Sequence, residues 1–242
     1  MTVHFIGAGP GAPDLITVRG LKFIQTCPVC LYAGSLVPKA VVAEAPENAC
    51  VINTADMALE EIISVIVAAE KQGNDVARVH SGDTSLYSAM NEQMRRLDQL
   101  GIAYDVTPGV PAFAAAAAIL NQELTIPGVS QTVVLSRTQV NSTPMPENET
   151  LKNIAQSRAT LVLHLSLKQI RNIRHELRQF YGDDCPVVIA ARIGWPDQLI
   201  IRGTLANIED KIIDAEIKRT AIIFIGRAMN SPEYLESMLY SR

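Results

Sequence analysis

A chain of 242 residues, 48% hydrophobic but only 5% aromatic, can bury one large core or two smaller ones and fits a sheet covered by helices. Its formal net charge of −4 argues against a nucleic-acid or anionic-membrane surface, since both call for clustered basic residues. The longest apolar run, residues 110–120, falls short of the ~20 residues that cross a bilayer, and His4 with the following Gly-Pro turn ends the first apolar run too early for a targeting peptide. A soluble cytoplasmic protein is expected.

Strand and helix signals alternate from the start. Residues 3–6 read as a strand running into Gly7-Ala8-Gly9-Pro10-Gly11-Ala12-Pro13, and Thr17 is placed to cap a helix through residue 25. A strand over 29–32 follows. Residues 59–71 make a strong helix, with Leu59, Ile62, Ile63, Ile66 and Val67 on one face and Gly73 as its stop. Next come a strand over 76–80, a helix over 88–100 closed by Gly101, and a strand over 103–106 that ends at Pro108. Helix, short turn and strand in repetition predict parallel strands with right-handed crossovers. After an alanine-rich helix over 112–120, the gap at 123–129 divides the chain into domains 1–122 and 123–242. In the second half, strands are expected at 132–136, 160–165, 187–191, 199–202 and 221–225, with a helix over 167–181 and another before the last strand. A polar, proline-broken loop at 141–148 is expected to be mobile. The fold class is α/β.

The chemistry concentrates where strands end. In Arg78-Val79-His80-Ser81-Gly82-Asp83-Thr84-Ser85-Leu86-Tyr87, small and hydroxyl residues free the backbone just past a strand, which is how open α/β sheets admit ligands. Asp83 suits a turn or cap, but between Gly82 and Thr84 the ligand-facing role is favoured. Gly7-x-Gly9-x-x-Ala12 formally matches a dinucleotide fingerprint. However, Pro10 and Pro13 delay the helix, and Tyr32-Ala33-Gly34-Ser35 stands where an acidic residue would hold the ribose, so a dinucleotide-dependent oxidoreductase is the alternative rather than the reading. His80 and His164 lie in strand patterns and read as satisfied core or rim histidines. Cys27-Pro28-Val29-Cys30 leads into a strand and lacks further ligands nearby, so all four cysteines read as packed thiols and no metal site is expected. No catalytic triad order or phosphate loop is present, which points to chemistry that needs little acid–base machinery; no catalytic side chain is assigned.

Taken in order, these motifs resemble the tetrapyrrole (uroporphyrin-III C/precorrin) methyltransferase family over essentially the whole chain. The opening pattern Gly-x-Gly-Pro-Gly-x-x-x-Leu-x-Thr runs from Gly7 through Leu15 to Thr17, and Gly82-Asp83-Thr84-Ser85-Leu86-Tyr87 matches Gly-Asp-Pro-x-x-Tyr with Thr84 in place of proline. Pro108-Gly109-Val110 is the third pattern. Tyr32-Ala33-Gly34-Ser35-Leu36-Val37, Trp195-Pro196-Asp197 and Arg202-Gly203-Thr204 resemble the branch that methylates C-11 of precorrin-4. The resemblance implies two α/β domains with largely parallel sheets forming a cleft, a homodimer, and S-adenosylmethionine as methyl donor. It places the donor against Pro10, Ser81, Gly82, Asp83, Leu86, Tyr87, Pro111 and Ala112, and against Leu165, Gly194, Thr220 and Ala221. The substrate, precorrin-4 or cobalt-precorrin-4, would meet Gly9, Gly11, Tyr32 and Ser35. Arg19, Lys39 and Arg137 are candidates to face its carboxylates. Methylation at C-17 or C-20 is the alternative within the family, and a non-catalytic tetrapyrrole carrier the alternative outside it.

Overall fold

The computed structural model describes residues 1–139, 144–215, 217, 220–231 and 235–237. The chain divides into two compact units, Met1–Ala115 and Ala116–Arg242, each built on one five-stranded sheet.

The first unit contains strands β1 (Thr2–Gly7), β2 (Val29–Tyr32), β3 (Cys50–Asn53), β4 (Val76–His80) and β5 (Ala103–Thr107). Its helices are α1 (Val18–Thr26), α2 (Lys39–Val42), α3 (Leu59–Lys71) and α4 (Met90–Leu100), and α5 (Ala112–Ile119) carries the chain onward. The sheet order is β3-β2-β4-β1-β5 and every pairing is parallel. The connections from β1 to β2 and from β2 to β3 run one way across the sheet, those from β3 to β4 and from β4 to β5 the other. Right-handed crossovers therefore set α1 and α2 on one face and α3 and α4 on the opposite one. Packing agrees: Ile24, Val41 and Val42 join Ile6, Cys30 and Val79, while Ile62, Ile63, Ile66 and Leu97 join Val3, Phe5, Leu31 and Val76. Each fully buried Leu or Ile contributes ~1.5–3 kcal/mol.

The second unit contains β6 (Val133–Arg137), β7 (Thr160–His164), β8 (Pro186–Ala191), β9 (Leu199–Thr204) and β10 (Ala221–Ile225), with α6 (Leu151–Ala155), α7 (Ile170–Tyr181) and α8 (Ile208–Asp214). Its order is β6-β7-β10-β8-β9. Here only β6–β7 is parallel; β10 runs antiparallel to both neighbours, and β8–β9 is a hairpin. Five of the eight pairings are thus parallel across both sheets, as expected, but the second sheet alone is mixed. Helix α7 buries Ile170, Ile173, Leu177 and Tyr181 along one stripe.

Local departures from the sequence reading have physical causes. Helix α4 starts at Met90, not 88, because Ala89 adopts a left-handed backbone (φ 53°) that cannot continue a helix. The helix expected at 167 opens with one 3-10 turn, Leu167–Gln169, before α7 proper. The short elements α2 and β3 were not anticipated. The polar loop expected at 141–148 lies outside the described residues at 141–143, and Glu147–Glu149 forms a single 3-10 turn.

Candidate active site

In the first unit the carboxyl ends of the three strands β4, β1 and β5 lie level, with Gly7 beside His80 and Ile6 beside Thr107. Backbone pairing continues past them. Ala8 N donates to His80 O at 2.8 Å, Gly82 N donates to Gly9 O at 2.7 Å, and Gly9 N donates back to Gly82 O at 3.2 Å. The loop after β5 closes onto this pair with no room for side chains: a Cβ on Gly109 would lie 2.1 Å from Gly82 O, and one on Gly7 would lie 2.5 Å from Gly109 N. Gly82 differs. Its φ of +64° asks for glycine, yet the nearest atom to a Cβ there is Ala112 N at 3.9 Å, so the space above it is open. The result is a bare backbone platform, the form a site takes when a ligand must approach the main chain.

Asp83 fastens the platform. One carboxylate oxygen accepts from Gly109 N at 2.8 Å; the other accepts from Ser85 N at 2.9 Å and from the Ser85 hydroxyl. Burial pushes its pKa up, but the Ser85 hydroxyl and the Gly109 and Ser85 amides outweigh that and hold it below the usual carboxylate range. The carboxylate is therefore a brace between two loops, the role the turn reading offered. Thr17 joins the same assembly: its hydroxyl accepts from Gly20 N at 3.1 Å, capping α1, and faces Pro108 O at 3.5 Å. As Pro10 and Pro13 implied, α1 starts only at Val18, after a 3-10 turn at Pro13–Leu15.

The structure gathers Gly9, Pro10, Gly11, Ser81, Gly82, Asp83, Leu86, Tyr87, Pro111 and Ala112 onto the loops at this one sheet end, and Tyr32 ends the neighbouring β2 with Ser35 in the loop after it. Tyr32 is buried and Ser35 exposed. Leu165, Gly194, Thr220 and Ala221 lie in the second unit. Because β10 runs antiparallel to β7 and β8, its start sits level with their ends, so these four also share one sheet end. Leu165 (φ 56°), Arg192 (φ 51°) and Thr220 (φ 59°) all hold left-handed backbone there, and Arg192 N donates to Thr220 O at 2.9 Å. Such non-glycine strain costs of order 1–3 kcal/mol each and clusters at functional sites. Beside it the Arg192 guanidinium lies 5.7 Å over the Trp195 ring and donates to Asp197 at 2.7 Å.

His80 is buried, as expected, but not satisfied: its Nε2 has no partner among the described residues. Burial, then the Arg78 charge, lowers its pKa to about 3, so the ring is neutral at pH 7. Burial also lowers the pKa of His164. Cys27, Cys30 and Cys185 are buried free thiols, raised by burial to about 12, about 12 and about 11; Cys50 departs from the packed-thiol reading by being exposed on the edge strand β3. Sequence reasoning missed Asn53, whose side chain accepts from Gly34 N at 3.1 Å and Ala55 N at 3.0 Å. The Asn-Thr pair at a strand end was its one local signal.

Residues 2–209 match the family model for Tetrapyrrole (Corrin/Porphyrin) Methylases. The precorrin-4 C(11)-methyltransferase of Rhodococcus erythropolis is 52% identical over 241 residues, 100% of this chain and 97% of that protein. The solved structure of a cobalt precorrin-4 methyltransferase, a cobalamin biosynthetic enzyme, is 39% identical with a TM-score of 0.91, over 95% of this chain and 96% of that one. A uroporphyrin-III C-methyltransferase of Thermus thermophilus, complexed with S-adenosylhomocysteine, shares the fold at 21% identity and a TM-score of 0.79, over 98% and 97% of the two chains. With this match over most of its length and such relatives over all of it, the chain belongs to the tetrapyrrole methylase family.

Proposed function

We propose that this protein transfers a methyl group from S-adenosylmethionine to C-11 of precorrin-4, or of its cobalt complex, in cobalamin synthesis. The observation that carries the reading is the full-length 52% identity to a precorrin-4 C(11)-methyltransferase. The donor follows from a methylase family whose fold also holds S-adenosylhomocysteine in a distant member. The sulfonium is already an activated electrophile, and a reduced tetrapyrrole offers electron-rich carbon. The C-11–methyl bond forms as the sulfur–methyl bond breaks, S-adenosylhomocysteine leaves, and the tetrapyrrole gives up a proton.

The protein's share of this chemistry is alignment and exclusion of water, and positioning alone is worth ~7–11 kcal/mol. Under this reading the bare backbone at Ser81, Gly82 and Pro111, with Pro10, Asp83, Leu86, Tyr87 and Ala112, receives the donor. Leu165, Gly194, Thr220 and Ala221 are the donor-binding positions of the second unit. Gly9, Gly11, Tyr32 and Ser35 meet the substrate. The same reading includes domains divided near residue 122, a homodimer and a cytoplasmic setting.

Methyl-labelled donor with precorrin-4 or its cobalt complex is expected to mark C-11 alone; label at C-17 or C-20 would reassign the reaction. Calorimetric titration is expected to show saturable S-adenosylhomocysteine binding and none for NAD. NAD binding in its place would return the first glycine loop to a dinucleotide. Asp83→Leu, which removes the brace on Gly109, is expected to weaken S-adenosylhomocysteine binding about tenfold while the protein stays folded, the loss of the one charge-assisted hydrogen bond that holds the Gly109 loop; unchanged affinity would remove Asp83 from the site.

A further inference from the structure

We propose that Asn53 is a specificity-determining residue of this site, its carboxamide NH2 donating to a carboxylate of the tetrapyrrole; this rests on the methyltransferase reading above. Asn53 ends β3 and is exposed. Its oxygen accepts from Gly34 N at 3.1 Å and Ala55 N at 3.0 Å. Two converging N–H donors fix which end of the amide is the oxygen, and the exposed residue leaves its NH2 as the end that donates. Among the described residues the hydrogen bonds of Asn53 both end on that oxygen, leaving the NH2 hydrogens for a ligand.

Gly34 exists for this side chain. Its φ is not in the left-handed region, so the backbone does not demand glycine. A Cβ there would instead lie 2.3 Å from the Asn53 oxygen and 2.5 Å from its nitrogen, so a side chain at 34 and the carboxamide compete for one space. The loop they share is held rigidly beside the backbone platform: Ala33 N donates to Val79 O at 3.1 Å, and Leu36 N and Val37 N fold back onto Ala33 O at 3.1 and 3.0 Å. That loop also carries Tyr32 and Ser35, the residues assigned to the substrate.

The charge behind the loop selects an anion. Arg78 is only 4% exposed, and its partners among the described residues are neutral: Gln93 at 2.8 Å, Leu31 O at 3.4 Å and the Thr54 hydroxyl at 3.1 Å. Burial lowers its pKa to about 10, which leaves it charged at pH 7. A buried cation with no acid partner among the described residues, bonded to the residue next to Asn53, favours a carboxylate at the loop surface and disfavours a cationic or apolar group.

Asn53→Asp separates recognition from bracing. An aspartate keeps an acceptor for Gly34 N and Ala55 N but replaces the NH2 donor with a second negative oxygen. With uroporphyrin III, a stable tetrapyrrole octacarboxylate, as fluorescence probe and precorrin-4 as substrate, we expect Kd and KM for the tetrapyrrole to rise about ten- to hundredfold, the loss of one charge-assisted hydrogen bond plus repulsion. Affinity for S-adenosylhomocysteine and the melting temperature are expected to stay at wild-type values. Unchanged tetrapyrrole affinity in the variant, or an equal loss of tetrapyrrole and S-adenosylhomocysteine affinity, would overturn the assignment and leave Asn53 a loop brace. Wild-type protein that binds S-adenosylhomocysteine but no tetrapyrrole would overturn the substrate reading, and this inference with it.

Discussion

The two sheets face a common demand, a chain that bends sharply where a strand ends, and answer it differently. In the first unit the loops cross so closely that side chains are excluded, and Gly7 and Gly109 stand within hard-sphere contact of each other's backbone. In the second unit Leu165, Arg192 and Thr220 take left-handed backbone despite carrying side chains, as Tyr87 and Ala89 also do farther along the β4–α4 connection of the first. The first arrangement is sterically forced, so replacement disrupts packing. The second stores conformational strain, so replacement releases it. Close approach and strain are thus separate reasons for an unusual bend, and mutation tells them apart.

The largest effect is expected from Gly109→Ala, whose Cβ meets a backbone carbonyl rather than a movable side chain. Urea unfolding should show a loss of about 3 kcal/mol, with S-adenosylhomocysteine binding abolished; a near-neutral result would mean that the loops can separate. An intermediate effect separates the two strand-end histidines. Folded His80 stays neutral down to about pH 3, whereas the unfolded side chain takes a proton near its ordinary value of 6.5. The unfolded state binds the extra proton in that window, so stability falls as pH drops from 6.5 toward 3. His80→Gln should flatten acid unfolding across this range more than His164→Gln does; equal curves would refute the difference in burial. The smallest effect is expected from Leu165→Gly. Relief of left-handed strain outweighs the added flexibility of glycine, so stability should change by about 1 kcal/mol or less, in the stabilising direction. A clear loss would show that the exposed Leu165 side chain has a packing role.

What could be read beforehand follows from how local each cause is. Helix α3 and strands β4 and β10 have the bounds expected, because a 3.6-residue apolar stripe and β-branched runs are written in neighbouring residues. Strand β3 escaped notice: three of its four residues are exposed at a sheet edge, so no alternation marks it. Helix α2 is a single turn. The antiparallel run of β10 could not be read, since strand direction depends on partners some 30 to 60 residues away. The glycine loops were legible from Gly and Pro spacing. The Asp83 brace and the Asn53–Gly34 fit were not, because their partners lie 26 and 19 residues off in sequence.

The order of the first sheet also dictates when its platform can exist. Of the five strands of this sheet β1 is made first, yet the strands it pairs with in the sheet are β4 and β5, and the platform needs Gly7, Gly82 and Gly109 together. At about 5–20 residues per second, some 5–20 s separate synthesis of Gly7 from that of Gly109. Once β4 is made, β1 can pair on one side, but chains stopped short of β5 leave its other edge open and lack the Gly109 loop that completes the platform. A nascent or truncated chain therefore cannot assemble this platform until residues 1–109 have all been made and correctly threaded.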